Sequence, residues 1–263
     1  MRIRVLVENT GSEPGLKTEH GLSLFIETGV CAILFDMGHT DAFAFNARAM
    51  GIGLSSVDMA VISHGHDDHG GGLPVFLSAN DHAKVYVSDH AFERHLNACR
   101  EDIGLDRAMK NNPRIVPVGE YLHVAEGVDL YACNTRVPAY AAGTDGLLME
   151  ENGVSKPDDF RHEQYLLLRQ SGKRVVFSGC SHKGVLNIMR WLKPDVFIGG
   201  FHFMHLDLSG EGKRIVEETS RILLSYPTTY YTCHCTGMES YRCLKDLMHD
   251  RLAYLATGTE LTL

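Results

Sequence analysis

The chain has 263 residues, 44% hydrophobic and 22% charged, and a formal net charge of -8. That length and composition suit one ordinary globular α/β domain with a sizeable core. The acidic balance excludes a general nucleic-acid surface, which needs clustered Lys and Arg, and no apolar run approaches the roughly 20 residues of a membrane helix.

Seven cysteines are scattered rather than set at disulfide-framework spacing. A reducing, cytoplasmic setting is the expectation, and the opening MRIRVLVENTG reads as strand and turn rather than signal peptide.

Residues 2–7 alternate and are rich in Ile and Val, which predicts an opening strand. Leu22 to Glu27 and Cys31 to Phe35 flank Thr28-Gly29, a hairpin signal. A helix is expected from Asp41, as N-cap, to about Met50, with Gly51 as its stop. Val57 to Ile62 reads as a buried strand, Leu73 to Ser78 as a short helix opened by Pro74, and Lys84 to Val87 as a strand. Asp89 to Cys99 has helical spacing. Residues 100–160 carry a strand at Val128 to Ala132 but little other periodicity, and read either as a substrate-binding insertion or as an irregular peripheral segment.

From Gln164 the pattern is regular. Gln164 to Arg169 and Arg174 to Phe177 are predicted strands, followed by a helix over Gly184 to Leu192 and a strand over Val196 to Ile198. Glu211 to Ser225 is an amphipathic helix, Thr228 to Thr232 a strand followed by a helix to about His249, and short strands at Leu252 to Leu255 and Glu260 to Leu263 close the chain.

Chemistry concentrates in Ser63-His64-Gly65-His66-Asp67-Asp68-His69-Gly70-Gly71-Gly72, directly behind a strand. His64 and His66, one residue apart, can turn toward one point, while Asp68 and His69 project toward a second. Imidazole and carboxylate together suit zinc, manganese or iron(II). Further strands run into His-bearing loops at His182, His202 and His234. In layered α/β folds such strand ends converge on one cavity.

These motifs, with the hairpin ending in Phe35-Asp36-Met37-Gly38, resemble the metallo-β-lactamase superfamily. More narrowly, Glu19-His20-Gly21-Leu22-Ser23, Ser178-Gly179-Cys180-Ser181-His182-Lys183-Gly184, Ile198-Gly199-Gly200-Phe201-His202 and His234-Cys235-Thr236-Gly237 resemble its 7,8-dihydropterin-6-yl-methyl-4-(β-D-ribofuranosyl)aminobenzene 5'-phosphate synthase subgroup. The resemblance implies a single-domain αββα sandwich over residues 1–263 with two divalent metal ions at one edge, zinc first and manganese or iron(II) as alternatives. His64 and His66 would bind one ion, and Asp68, His69 and His234 the other.

Cys180 stands where the family places a bridging Asp, and a thiolate there would draw softer metals. His182 is expected as a ligand, while Cys180, His162 and the adjacent Glu163 remain open. Asp36 is expected either to hydrogen-bond a metal-bound His or to form a turn. Asp67 and Asp68 are the candidate catalytic carboxylates, with a solvated loop position as the other reading of Asp67. His20, His202 and Lys183 are candidates for substrate contact, against core histidines and a solvated lysine. His82, His90, His95, His123, His205 and His249 are expected at the surface, and Cys233 and Cys235 in packing or supporting a ligand from behind, with metal ligation as their other reading.

The functional expectation is an enzyme, hydrolase or synthase, acting on a phosphorylated pterin-related or similar small molecule. No nucleic-acid or membrane partner is expected, and a homodimer is compatible. The alternatives are a metal-dependent hydrolase of another ester, lactone or phosphodiester, and a non-catalytic metal-containing ligand sensor.

Overall fold

A computed structural model describes residues 1–11, 13–143 and 146–263. The first half opens with β1 (Arg2–Val7), β2 (Ser23–Glu27) and β3 (Ala32–Phe35), then α1 (Ala42–Ala49), β4 (Met59–Val61), α2 (Asp67–Gly70), α3 (Leu73–Ala79), β5 (Lys84–Ser88), β6 (Arg94–Leu96) and β7 (Ile115–Val118). The second comprises β8 (Tyr121–Ala125), β9 (Val128–Tyr131), β10 (Leu148–Glu151), β11 (Val154–Pro157), β12 (Tyr165–Gln170), β13 (Lys173–Phe177), α4 (Val185–Leu192), β14 (Val196–Ile198), α5 (Glu211–Leu224), β15 (Thr229–Thr232), α6 (Met238–Met248), β16 (Leu252–Tyr254) and β17 (Glu260–Thr262).

Two seven-stranded sheets form, ordered β17-β1-β2-β3-β4-β5-β7 and β16-β15-β14-β13-β12-β9-β8. Side-chain alternation decides how they stack. In β3, Ile33 and Phe35 face one way and Leu34 the other; in β13, Val175 and Phe177 oppose Val176. Ile33, Phe35, Val175 and Phe177 meet Ile3, Leu166 and Ile198 in a core between the sheets, where Phe35 and Phe177 lie 5.8 Å apart. Leu34 packs with Phe43 of α1 and Phe76 of α3, while Val176 packs with Ile188 of α4, Val216 of α5 and Leu244 of α6. The result is the expected αββα sandwich, three buried layers between four layers of structure.

Local departures have clear causes. Asp41 occupies the N-cap of α1 but makes no side-chain cap; Thr40 Oγ1 accepts from the Ala42 N–H instead (3.2 Å). The helical spacing of Asp89 to Cys99 is overridden by pairing, because β6 adds to β10 with His95 opposite Met149 and buries His95 completely. Residues 100–160 are not one block: β7, β8 and β9 complete the main sheets, and only β10 and β11 join β6 in a small three-stranded sheet.

Candidate metal centre and its cavity

Parallel pairing brings the chemical loops together. β3 pairs with β4 so that Phe35 lies opposite Val61, and β13, β14 and β15 align Phe177 with Ile198 and Ile198 with Tyr231. Five strands therefore end at one edge, releasing the loops that carry Asp36, His64 to His69, Cys180 to His182, His202 and His234. Asp36, Ser181, His202 and His234 have φ of +59°, +60°, +58° and +47°. Such left-handed backbone in non-glycine residues costs roughly 1–3 kcal/mol each and collects at functional sites.

One group forms around His69. Its Nδ1–H donates to Asp36 Oδ2 (2.7 Å), which leaves Nε2 as a lone pair. His234 is fixed alike: its Nδ1–H donates to Asn9 Oδ1 (2.7 Å), and Gly21 N–H identifies that atom as the acceptor by donating to it as well. The two Nε2 lone pairs then face each other at 3.2 Å, with Asp68 Oδ2 3.4 and 3.1 Å away and Cys180 Sγ 3.1 Å from His69 Nε2. Glu8 secures this loop by accepting from the His234 N–H (2.6 Å) and the Tyr254 hydroxyl (2.5 Å).

Facing lone pairs need a positive charge between them. In the protein alone a proton supplies it: burial opposes ionisation, but Asp68 and Asp36 hold the His69 imidazole up to about 9. Asp68 lies far below the usual carboxylate range, since His69 and His234 outweigh its burial. Cys180 and Cys235 form a buried pair in which burial and the neighbouring sulfur push Cys180 up, leaving Cys235 as the more readily ionised thiol.

The second group forms around His64. Ser63 Oγ–H donates to Asp36 Oδ2 (2.8 Å), so His64 Nδ1–H donates to Ser63 Oγ (2.8 Å) and His64 Nε2 is again a lone pair. It lies 3.3 Å from His182 Nε2, and His64, His66 and His182 bring donor atoms within 4.8 Å of one another. Burial and the neighbouring imidazoles hold all three well below the ordinary histidine value. Gly179 passes so close to Ser63 Oγ that any Cβ would collide with it.

The open candidates resolve into distinct positions. Glu163 accepts from the His182 N–H (2.7 Å), the Lys183 N–H (3.1 Å) and the Tyr165 hydroxyl (2.6 Å), so its carboxylate holds the 181–184 loop. His162 Nδ1 accepts from the Gly65 N–H (2.9 Å) and its Nε2 lies 3.3 Å from Asp158. His95 is a correction: it is fully buried and its Nδ1–H donates to Asp158 (2.9 Å). His66, His95, Asp158 and His162 together form a buried polar cluster behind the His64 group. No sequence signal marked Asp158 or His95, because their meeting depends on the β6–β10 pairing.

A cavity of about 690 Å³ opens over both groups. His20, Asp67, Asp68 and His202 line it, and so do His39 and His205, the latter expected at the surface. His20 Nε2 lies 3.5 Å from Asp68, and the His202 ring packs 4.3 Å from that of His182. Burial raises the Asp67 carboxyl. Lys183 lies elsewhere: its ammonium donates to Ala132 O, Asn134 Oδ1 and Glu163 O, beside a separate cavity of about 330 Å³. Among the described residues no Lys or Arg lines the larger cavity.

The donor set fits divalent metal ions: imidazoles, three of which (His64, His69 and His234) are oriented by a hydrogen bond at Nδ1, with one ionised carboxylate and a thiol, in two adjacent groups. The comparisons agree. The family model described as Metallo-beta-lactamase superfamily matches residues 16–139. A Methanocaldococcus jannaschii protein named 7,8-dihydropterin-6-methyl-4-(beta-D-ribofuranosyl)-aminobenzene-5'-phosphate synthase is 26% identical, over 98% of this chain and 95% of that protein. An uncharacterized protein of the same organism is also 26% identical, over 93% of this chain and 94% of its own length. The crystal structure of Tm1679, described as a metal-dependent hydrolase of the beta-lactamase superfamily, superposes with a TM-score of 0.82 at 26% identity, covering 100% of this chain and 99% of that one. Motif and fold lead to one description: the chain has the metallo-β-lactamase fold, and residues 16–139 match the model of that superfamily.

Proposed function

We propose that the chain is a dinuclear metal-dependent enzyme acting on a phosphorylated, pterin-related or similar small molecule. His64, His66 and His182 hold one ion; Asp68, His69 and His234 hold the other, with Cys180 beside it. The carrying observation is the 3.2 Å approach of the Nε2 atoms of His69 and His234, each ring oriented by a hydrogen bond at its other nitrogen. Zinc is the first choice because imidazole and thiol donors both suit it.

Bound divalent ions there supply Lewis acidity and lower the pKa of water from 15.7 to roughly 7. The chain's own residues do the rest. Asp36 fixes the orientation of one imidazole in each group. Asp67, a cavity-facing carboxyl raised by burial, is placed to carry a proton to or from the substrate. His20 and His202 contact the substrate, and Asn97, Ala98, Ile103 and Leu147, from the segment around the small sheet, also line the cavity. Lys183 serves as a structural tie of its loop rather than a phosphate ligand.

The substrate class is supported by the name of the M. jannaschii relative. A hydrolase of a neutral ester or lactone is the second reading, favoured by the lack of Lys and Arg among the described residues that line the cavity. Metal content and turnover measured on one purified batch, against pterin phosphates, phosphodiesters and lactones, separate the two. Activity that survives complete chelation would falsify both. Bound metal with no turnover of any class would point instead to a ligand sensor.

A further inference from the structure

The His-Cys-Thr turn places a second sulfur at the site. Cys235 belongs to the same turn as His234, is 5% exposed, and faces the cavity alongside Cys180, itself 3% exposed. Cys180, His234 and Cys235 bring their donor atoms within 4.8 Å of one another, and Cys180 Sγ is 3.1 Å from the lone pair of His69. The Cys235 sulfur sits where a Cβ on Gly200 would be, so the Gly199-Gly200 turn leaves the space it occupies. Its backbone is also pinned: Cys235 O accepts from the Phe203 and Met204 N–H groups (3.0 and 2.9 Å). The Cys235 S–H donates to the Cys180 carbonyl at 3.4 Å, a weak bond for a polar group at a metal centre.

We propose that Cys235 joins Cys180 as a sulfur donor to the ion held by Asp68, His69 and His234. The inference rests on the dinuclear reading above and makes the two positions chemically unequal. One is an all-imidazole position at His64, His66 and His182; the other carries two thiolates. Each thiol releases its proton to solvent as the ion binds, with no change of oxidation state. Thiolate donors select zinc over manganese, whereas a site of nitrogen and oxygen donors discriminates less. The sulfur-bearing position therefore retains zinc against a manganese excess that exchanges the other.

Anaerobic titration of the full-length protein with cobalt(II) tests this. The wild type is expected to show visible d–d bands and a near-ultraviolet thiolate-to-cobalt charge-transfer band. That band should weaken in Cys235→Ser, weaken in Cys180→Ser and vanish in the double variant, while the d–d bands of the imidazole position persist. An undiminished charge-transfer band in a folded Cys235→Ser protein overturns the inference. If that variant does not fold, X-ray absorption on the zinc-loaded wild type decides: two sulfur atoms for every two zinc ions support the proposal, and one or none overturns it. A wild type that takes up no cobalt at all is a different failure, because it removes the dinuclear reading itself.

Discussion

The carboxylate of Asp36 accepts the His69 Nδ1–H at 2.7 Å and, through the Ser63 hydroxyl, sets the His64 ring as well. One buried acid thus orients an imidazole in each half of the centre. Asp36→Asn should keep the fold but offer an N–H where an acceptor is needed. Loss of such a partner lowers metal affinity roughly 10- to 100-fold. Competition against a chromophoric chelator measures it, and an unchanged affinity would remove Asp36 from this role.

Chelation should act on stability as well as activity. An ion that binds only the folded chain, at a free concentration 1,000 times its Kd, contributes about 4 kcal/mol. Melting the protein before and after exhaustive dialysis against EDTA should show a clear fall in Tm, restored by adding the metal back. A Tm indifferent to both treatments contradicts ion binding at these donors.

The metal-free protein should be acid-labile. Burial holds His64, His66 and His182 well below the ordinary value and His162 down to about 4, while the unfolded chain titrates near 6.5. Between those values the unfolded state binds more protons, so stability falls as pH falls below about 6.5. His162 alone accounts for about 3 kcal/mol by pH 4 at 1.36 kcal/mol per unit. His69, raised to about 9, runs the other way: its contribution is complete below 6.5 and is lost as pH rises toward 9. Denaturant titrations of the chelated protein from pH 4 to 9 should therefore peak near neutrality. Stability that rises on acidification from pH 7 to 5 would defeat the account.

Asp158 gathers His95, His162 and the Phe160 N–H (2.7 Å) in a buried cluster. Asp158→Ala leaves buried donors without an acceptor, at roughly 1–3 kcal/mol apiece. A loss of about 3 kcal/mol in urea unfolding is expected, with a smaller loss for Asp158→Asn, which retains one acceptor oxygen. Equal stabilities for the two variants would count against this assignment.

The sequence by itself carried the strand–loop grammar. Period-2 runs located most strands, and a His-rich loop behind β4 announced the chemistry, because such signals are local to a few residues. Only tertiary structure decided which distant donors meet. Asp36 reaches Ser63 and His69 through the β3–β4 register, and His234 reaches His69 across 165 positions of chain. His95 looked like part of a surface helix until pairing with Met149 turned it inward beside Asp158. Glu163, a ligand candidate by proximity to His162, was assigned to the backbone of the His182 loop by the fold. Lys183, adjacent in sequence to His182, was turned away from the cavity toward the Ala132 and Glu163 carbonyls. Residue type and spacing determine what chemistry a loop can offer, whereas strand pairing and the directions of single hydrogen bonds determine which atoms remain free to perform it.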